Sequence, residues 1–208
     1  GRGFYEIEHR FVLNLNYQHQ FFSGYDTTVN LFWERRSGRP FSWTLGRESR
    51  SDVGDQRSNT RVYLPYLPSS ENDPAFDFSA LSYQQIMSIA QQAGVAQYAG
   101  DYIPKYIGTQ PWLTTMDLAI TQELPSLIKG HKGTLYFIID NFANLLNSDW
   151  GKSYRLSPSQ QILFDFDIND SGQYVLSEPS GGSNTTNYNQ FETEQSAWSV
   201  KVGVKYTF

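Results

Sequence analysis

Cysteine is absent from the 208 residues, which removes disulfide staples, thiolate zinc sites and a cysteine nucleophile together. Cationic charge is scarce as well: 16 Lys+Arg stand against 21 Asp+Glu, for a formal charge of −5. Nonspecific nucleic-acid binding needs clustered cations, so no nucleic-acid partner is expected. Long apolar runs are missing too. The longest, Leu135 to Ile139, falls far short of the about 20 residues that a membrane-spanning helix requires. No G-x-S-x-G, P-loop, G-x-G-x-x-G or H-E-x-x-H element occurs. His9, His19 and His131 are too dispersed for a metal site or a general base. No enzyme activity, catalytic residue, metal or cofactor is therefore expected, and a Ser/His/Asp set drawn from distant segments is the one arrangement that spacing leaves open. The chain starts at Gly1 with no signal peptide, which reads as a processed or excised piece. A mean hydropathy of −0.51 on its own suggests a soluble globular domain.

What the chain has in excess is aromatic: 14 Phe, 14 Tyr and 5 Trp, or 16%. Many of these residues fall on a period-two pattern, the signature of strands whose side chains alternate between faces. Trp198, Val200, Val202, Val204, Tyr206 and Phe208 share one parity, and Ser199, Lys201, Gly203, Lys205 and Thr207 share the other. The same alternation places His9, Phe11, Leu13, Leu15, Tyr17, His19 and Phe21 against Arg10, Val12, Asn14, Asn16, Gln18 and Gln20. Tyr25, Val29, Leu31 and Trp33 oppose Asp26, Thr28, Asn30 and Glu34, with Phe32 breaking the pattern. Trp112, Met116, Leu118, Ile120 and Leu124 oppose Thr115, Asp117, Thr121 and Glu123. Leu135, Phe137 and Ile139 oppose Thr134, Tyr136 and Asp140, with Ile138 misplaced.

These stretches predict five strands, near 5–21, 25–37, 112–124, 133–141 and 196–208. Most approach or exceed about ten residues, longer than the about five or six usual in soluble sheets and matched to a tilted bilayer-spanning strand. If the strands run alternately up and down, short turns gather at one end and the long segments 38–111 and 142–195 at the other. Trp33, Trp112 and Trp198 then reach the long-segment end on the apolar parity, while Tyr17, Phe21, Tyr25, Tyr206 and Phe208 collect at the short-turn end. Tyr25 and Trp33 lie eight residues apart, or about 26 Å along a strand. An outer-membrane barrel carries an apolar band of about 25 Å flanked by aromatic girdles. The seven residues Tyr17, Phe21, Tyr25, Trp33, Trp112, Trp198 and Tyr206 are thus expected at membrane interfaces. Within the long segments, Ser82 and Gln85 form a capping box before a helical pattern over 82–94 that Gly94 ends. Residues 160–168 and 173–178 read as a hairpin turned at Asn169–Gly172. Arg39-Pro40, Pro65 and Pro68 fit loop chemistry, and the Gly/Ser/Asn-rich tract 179–190 reads as a linker that includes a sequon at Asn184. Asp165, Asp167, Asn169 and Asp170 lack the Gly and Glu of a calcium loop, so they are expected on the polar side of the hairpin.

The elements SGRPFSW (37–43), YLPYLP (63–68), DLAITQELPSLIKGHKGTLYFIIDNFANLLNSDWG (117–151) and the terminal WSVKVGVKYTF resemble the carboxyl end of a TonB-dependent outer-membrane receptor, in its Oar-like branch. Asn144-Leu145-Leu146-Asn147 is similar to the superfamily's Asn-Leu-Phe-Asp-like element. The resemblance implies an all-β chain, an antiparallel transmembrane β-barrel segment supplying the last five of roughly 22 strands, with long extracellular loops, one of them carrying a short helix. It also implies ligand binding and uptake across the bacterial outer membrane. The implied partners are outer-membrane lipid, the remainder of the barrel and its plug, the TonB system, and the outer-membrane assembly machinery. Val202, Val204, Tyr206 and Phe208 resemble the carboxyl-terminal signal that this machinery reads, and an apolar strand edge suits recognition by strand addition. Lys201 and Lys205 would then face the lumen, where Gly203 would tolerate a charge better than Val202. Two other readings stay open: a small structural outer-membrane barrel, and a soluble β-sandwich that binds carbohydrate. The sandwich reading requires Trp33, Trp43, Trp112, Trp150 or Trp198 to gather on one face.

Overall fold

A computed structural model of the chain describes residues 2–3, 5–47, 63–126, 128–153, 160–179 and 196–208. In chain order the elements are β1 (Arg10–Phe22), β2 (Tyr25–Arg36), β3 (Pro40–Arg47), β4 (Phe76–Asp77), α1 (Tyr83–Gln92), β5 (Gly108–Thr109), β6 (Leu113–Pro125), β7 (Lys132–Asp140), α2 (Phe142–Leu146), β8 (Gln160–Ile168), β9 (Tyr174–Ser177) and β10 (Ser199–Thr207). The protein is mostly β. Its strands form two open five-stranded sheets, ordered β1-β2-β6-β7-β10 and β4-β9-β8-β3-β5. Each belongs to its own compact unit. The first sheet lies in Ile7–Gly38, Pro111–Tyr154 and Phe191–Phe208, and the second in Gly1–Glu6, Arg39–Gln110 and Arg155–Gln190.

The first sheet is an antiparallel meander whose strands pair in chain order. Its first hairpin turns on Ser23-Gly24, where Gly24 holds φ +82, a left-handed angle that costs glycine little. Residues 5–9 precede the ladder rather than joining it: the Glu6 amide donates to the Gly3 carbonyl at 2.9 Å, a local turn. Apart from a register shift between His19 and Phe22, the pairings keep the two parities on separate faces. Leu15, Leu31, Leu118, Ile139 and Val200 form one cross-strand row, and Tyr17, Val29, Ile120, Phe137 and Val202 form the next. The opposite face carries the charges. Arg10 pairs with Glu34 at 2.9 Å, Lys132 with Glu123 at 3.0 Å and Lys201 with Asp140 at 2.6 Å. Val12, Phe32 and Ile138, the breaks in the alternation, sit on this charged face beside Glu34, Asp117 and Lys201. So does Gly203, but a Cβ there would come within 2.2 Å of the Tyr136 ring. The ring covers the glycine, so a side chain at Gly203 requires the Tyr136 ring to swing aside.

The second unit corrects the expectation that 38–111 and 142–195 are loops carrying one helix and one hairpin. They contain a sheet with parallel pairs, β3 with β8 and β4 with β9, together with a buried core. Trp43 is 1% exposed, and Phe41, Leu45, Phe76, Leu163, Phe164, Phe166 and Leu176 are buried around it. The alternating test misses β3 because a strand buried on both faces need not alternate. Pro40 is its first residue, a position at which no ladder amide is needed, and Pro65 and Pro68 are fully buried rather than looped into solvent. The helix expected over 82–94 is α1. Ser82 and Gln85 cap it reciprocally, Ile86 and Ala90 face the core, and Gly94 ends it at φ +70. The hairpin is β8–β9, with Asn169 turning it by accepting from the Gln173 amide. Among the described residues no group of three or more acidic or histidine side chains is placed to hold a metal ion. Most of the tract 179–190, with Asn184, lies outside the described residues.

Asp73 is the buried carboxylate that staples the approach to β4. Burial pushes its carboxyl up, but hydrogen bonds from the Ser69 and Ala75 amides and the Ser69 hydroxyl outweigh this and hold it below its ordinary value. A depressed folded value makes the ionised form stabilising above the unfolded carboxyl's 3.8, with the stabilisation lost as pH falls through the lower folded value. In urea titrations followed by tryptophan fluorescence, Asp73→Asn is expected to be less stable than the parent at pH 6. The difference should vanish progressively below about pH 4.

Candidate functional site, an uncovered apolar face and a tryptophan cavity

The feature that the meander sheet presents to its surroundings is an apolar face with no second layer of its own unit over most of it. Val202 is 65% exposed and Val204 70%, and Leu13, Leu15, Tyr17, Leu135 and Phe137 are exposed as well. Ile139 is the buried exception. Phe142 of α2 joins Leu15, Val29, Leu31 and Leu118 along one shallow groove. Polar groups do occur on this parity: Thr27 and Gln122 satisfy each other through a side-chain hydrogen bond, and Arg35 and Thr114 share the row of Phe11. Burial of apolar area contributes roughly 25 cal/mol per Å², so a face of this extent left in water forgoes a large stabilisation. The two outer strands, β1 and β10, each have a ladder edge that no described residue pairs.

Aromatic side chains cluster at both ends of that face. At the end bearing the long segments, Trp33 shares a row with Leu13 and Met116. Trp112 stands just before β6, stacked on His9 at 6.1 Å and on Phe11 at 6.4 Å. The Arg35 guanidinium lies over the Trp112 ring at 5.3 Å. Trp198 is exposed one residue before β10. At the short-turn end, Tyr25 faces Phe22 across the hairpin, and His19 meets Phe21 edge-on at 4.6 Å. Tyr17 shares its row with Val202, two rows short of the Leu124–Gly133–Tyr206 row. The terminal residues are tied to the turn after β6. The Tyr206 hydroxyl lies 2.7 Å from His131 Nδ1 and 3.2 Å from Ser126 Oγ, and Phe208 is 93% exposed beside the same imidazole.

Sequence reasoning did not foresee how the Asn-rich element after β7 is used. Asn141 adopts φ +51, and its amide donates to Asp117 Oδ1 at 2.8 Å. Its side-chain NH₂ donates to the Gly151 carbonyl at 3.0 Å and the Ser196 carbonyl at 2.7 Å, both buried. A Cβ on Gly151 would fall 2.0 Å from Asn141 Oδ1, so glycine is required there for close approach as well as for its φ of +65. Asn144 closes the same loop by donating to the Ser148 and Trp150 carbonyls. The loop so pinned carries Trp150 to Trp33 and Trp112. These three rings, with Arg35, Asp149 and Lys152, line a cavity of about 420 Å³. Lys152 donates to Asp149 at 2.8 Å and holds that carboxyl below its ordinary value. Trp43, in contrast, is a core residue of the other unit, and Trp198 is not part of the cavity lining. No family model matches the chain, and neither a curated protein nor a solved structure matches it.

Replacing Asn141 with Ala strands two buried carbonyls, at a cost of about 1–3 kcal/mol. Asn141→Ala is therefore expected to lower the denaturation midpoint and shift the fluorescence of Trp150 to the red. Asn144→Ala, whose partners are exposed, should change both much less. Equal losses in the two variants would overturn the assignment of Asn141 as the pin.

Proposed function

We propose that the chain is part of a TonB-dependent-receptor-like outer-membrane barrel. In this reading the meander sheet contributes wall strands, and the segments 39–110 and 155–190 that connect them form a compact unit of their own that takes part in ligand capture. The observation that carries the proposal is the apolar face, continuous in register over five strands and backed by an ion-paired polar face. A lipid-facing wall needs one apolar face and tolerates charge on the other. It also needs its edges closed, because unpaired backbone in hydrocarbon costs several kcal/mol per group. The open edges of β1 and β10 then belong against neighbouring strands of the same receptor. Support for this family comes from the quoted sequence elements alone. The aromatic clusters at the two strand ends fit interface girdles, and tilt places the two ends of a cross-strand row at different depths, which suits Tyr17 to the short-turn side. Plug, TonB system and assembly machinery are partners under this reading, with Val202, Val204, Tyr206 and Phe208 as the terminal signal.

A second reading, a carbohydrate-binding β module, draws on the gathering of Trp33, Trp112 and Trp150 at one cavity. It leaves the uncovered apolar rows without a purpose, and for that reason it ranks behind.

The test compares neighbours on β2 that point to opposite faces. Val29→Lys puts a charge on the apolar face and should cost about 2–4 kcal/mol at mid-bilayer depth, whereas Thr28→Lys enters the polar face near Asp26 and should cost little. The readouts are outer-membrane partition and heat-modifiable gel migration of the whole protein. Equal tolerance of both substitutions, or a stable detergent-free monomer, would sink the barrel reading.

A further inference from the structure

Aromatic girdles account for Trp33 and Trp112 at this end of the face, but not for Arg35 or for Trp150, which arrives on a loop. Arg35 stands on the apolar parity of β2, in the row of Phe11 and Thr114, although the sheet's other face holds the ion-pair partners that a charge would seek. Among the described residues it has no carboxylate partner, and its guanidinium is fixed over Trp112 by a cation–π contact at 5.3 Å. Trp112 is committed to this contact and to its stacks on His9 and Phe11. Trp150, 54% exposed, and the half-buried Trp33 make no ring contact with described residues. Both line the cavity, whose one carboxylate, Asp149, is paired with Lys152. The lining thus offers flat apolar rings beside an oriented guanidinium whose charge the lining does not balance.

We infer that this cavity binds a phosphorylated saccharide. Sugar rings present axial C–H patches that lie well on indole faces, and Trp33 and Trp150 supply two such faces. A guanidinium pre-oriented by stacking offers paired N–H donors to a phosphate oxygen pair with little further loss of side-chain freedom. The cavity volume of about 420 Å³ falls within the range of about 300–1,000 Å³ typical of small-ligand sites. A bare anion would leave the rings unused, and an acyl chain would leave Arg35 unused, so a ring that carries a phosphate matches both parts. Two sources have this chemistry, the phosphorylated headgroup of an outer-leaflet glycolipid and a free sugar phosphate. The lipid source rests on the barrel reading above; the chemistry of the cavity does not.

The experiment uses the whole protein in detergent and in nanodiscs. Its probes are a phosphorylated glucosamine disaccharide, both lipid-anchored and free, and the dephosphorylated form of each, with binding followed by tryptophan fluorescence and native mass spectrometry. Arg35→Gln should weaken binding by about tenfold to a hundredfold, the range for lost hydrogen bonds to a charged group. Trp150→Leu, a change at an exposed ring, should weaken it comparably without unfolding the sheet. Arg10→Gln breaks an ion pair on the opposite face and should leave binding unchanged. Preference for the lipid-anchored phosphorylated form supports the cavity and the membrane source together. Equal binding of the free phosphosaccharide with the same variant pattern supports the cavity and removes the lipid source. Should the protein fail to enter membranes yet bind the free probe through Arg35, the barrel reading falls and this inference stands. Binding indifferent to dephosphorylation, or equal in the parent and Arg35→Gln, overturns it.

Discussion

Register is the constraint on which the meander sheet depends. Because side chains alternate with period two, a slip of one residue between any two strands would exchange apolar and charged neighbours along the whole ladder. Three devices fix it. The tight Ser23-Gly24 turn sets β1 against β2. Cross-strand ion pairs join Arg10 to Glu34, Glu123 to Lys132 and Asp140 to Lys201, one on each ladder except β2–β6. On that remaining ladder Thr27 and Gln122 meet through their side chains. With the register held, five separate alternations become a single two-sided surface, and both the uncovered face and the cavity at its end follow.

The same aromatic composition is used in two opposed ways. In the meander unit, Phe11, Tyr17, Phe21, Tyr206 and Phe208 remain exposed, at strand ends or on the apolar face. In the other unit, Phe41, Trp43, Phe76, Phe164 and Phe166 fill a core closed by α1 and the parallel β3–β8 pair. Composition alone averages the two and reports a moderately polar chain. A buried core gains from tight packing of large rings, whereas an exposed aromatic rim gains only if a partly apolar medium meets it. Two units with these separate requirements explain why the chain carries 33 aromatic residues — 14 Phe, 14 Tyr and 5 Trp — without any long apolar run.

How legible this was depended on how local the signal is. Alternation is a local property, so the strands at Tyr25–Arg36, Leu113–Pro125 and Lys132–Asp140 can be read from sequence to within a residue. Ser82 with Gln85, and Asn169–Gly172, are likewise self-contained signals for α1 and the β8–β9 turn. The β3–β8 pairing is not local, and both strands are buried on two faces, so period two is weak and Pro40 misleads. Trp112 and Trp33 could be placed at one end by counting, but Trp150 could not. It arrives through a loop whose geometry depends on Asn141 reaching the carbonyls of Gly151 and Ser196. The tell-tale in the sequence was the density of Asn between 141 and 147 followed by Trp-Gly, a pattern whose meaning needed the left-handed turn at Asn141 to become visible. Parity likewise says which face Gly203 occupies and nothing of the Tyr136 ring that the neighbouring strand lays across it.

The parallel pair has a further consequence, and it concerns time. Thr44 bonds to the Gln161 carbonyl across 117 positions of chain, and four strands of the meander leave the ribosome before the core unit can receive its central one. Until Gln160–Ile168 has been made, β3 has only its two-residue pairing with β5, which leaves Trp43 and Leu45 without a ladder partner, and closing so long a loop is slow relative to local pairing. A chain cut short before Gln160 would therefore leave Phe41 and Trp43 of β3 without the strand that covers them. Completeness of the polypeptide is thereby checked by the fold itself, since an early strand stays recognisably sticky until a late one arrives to silence it.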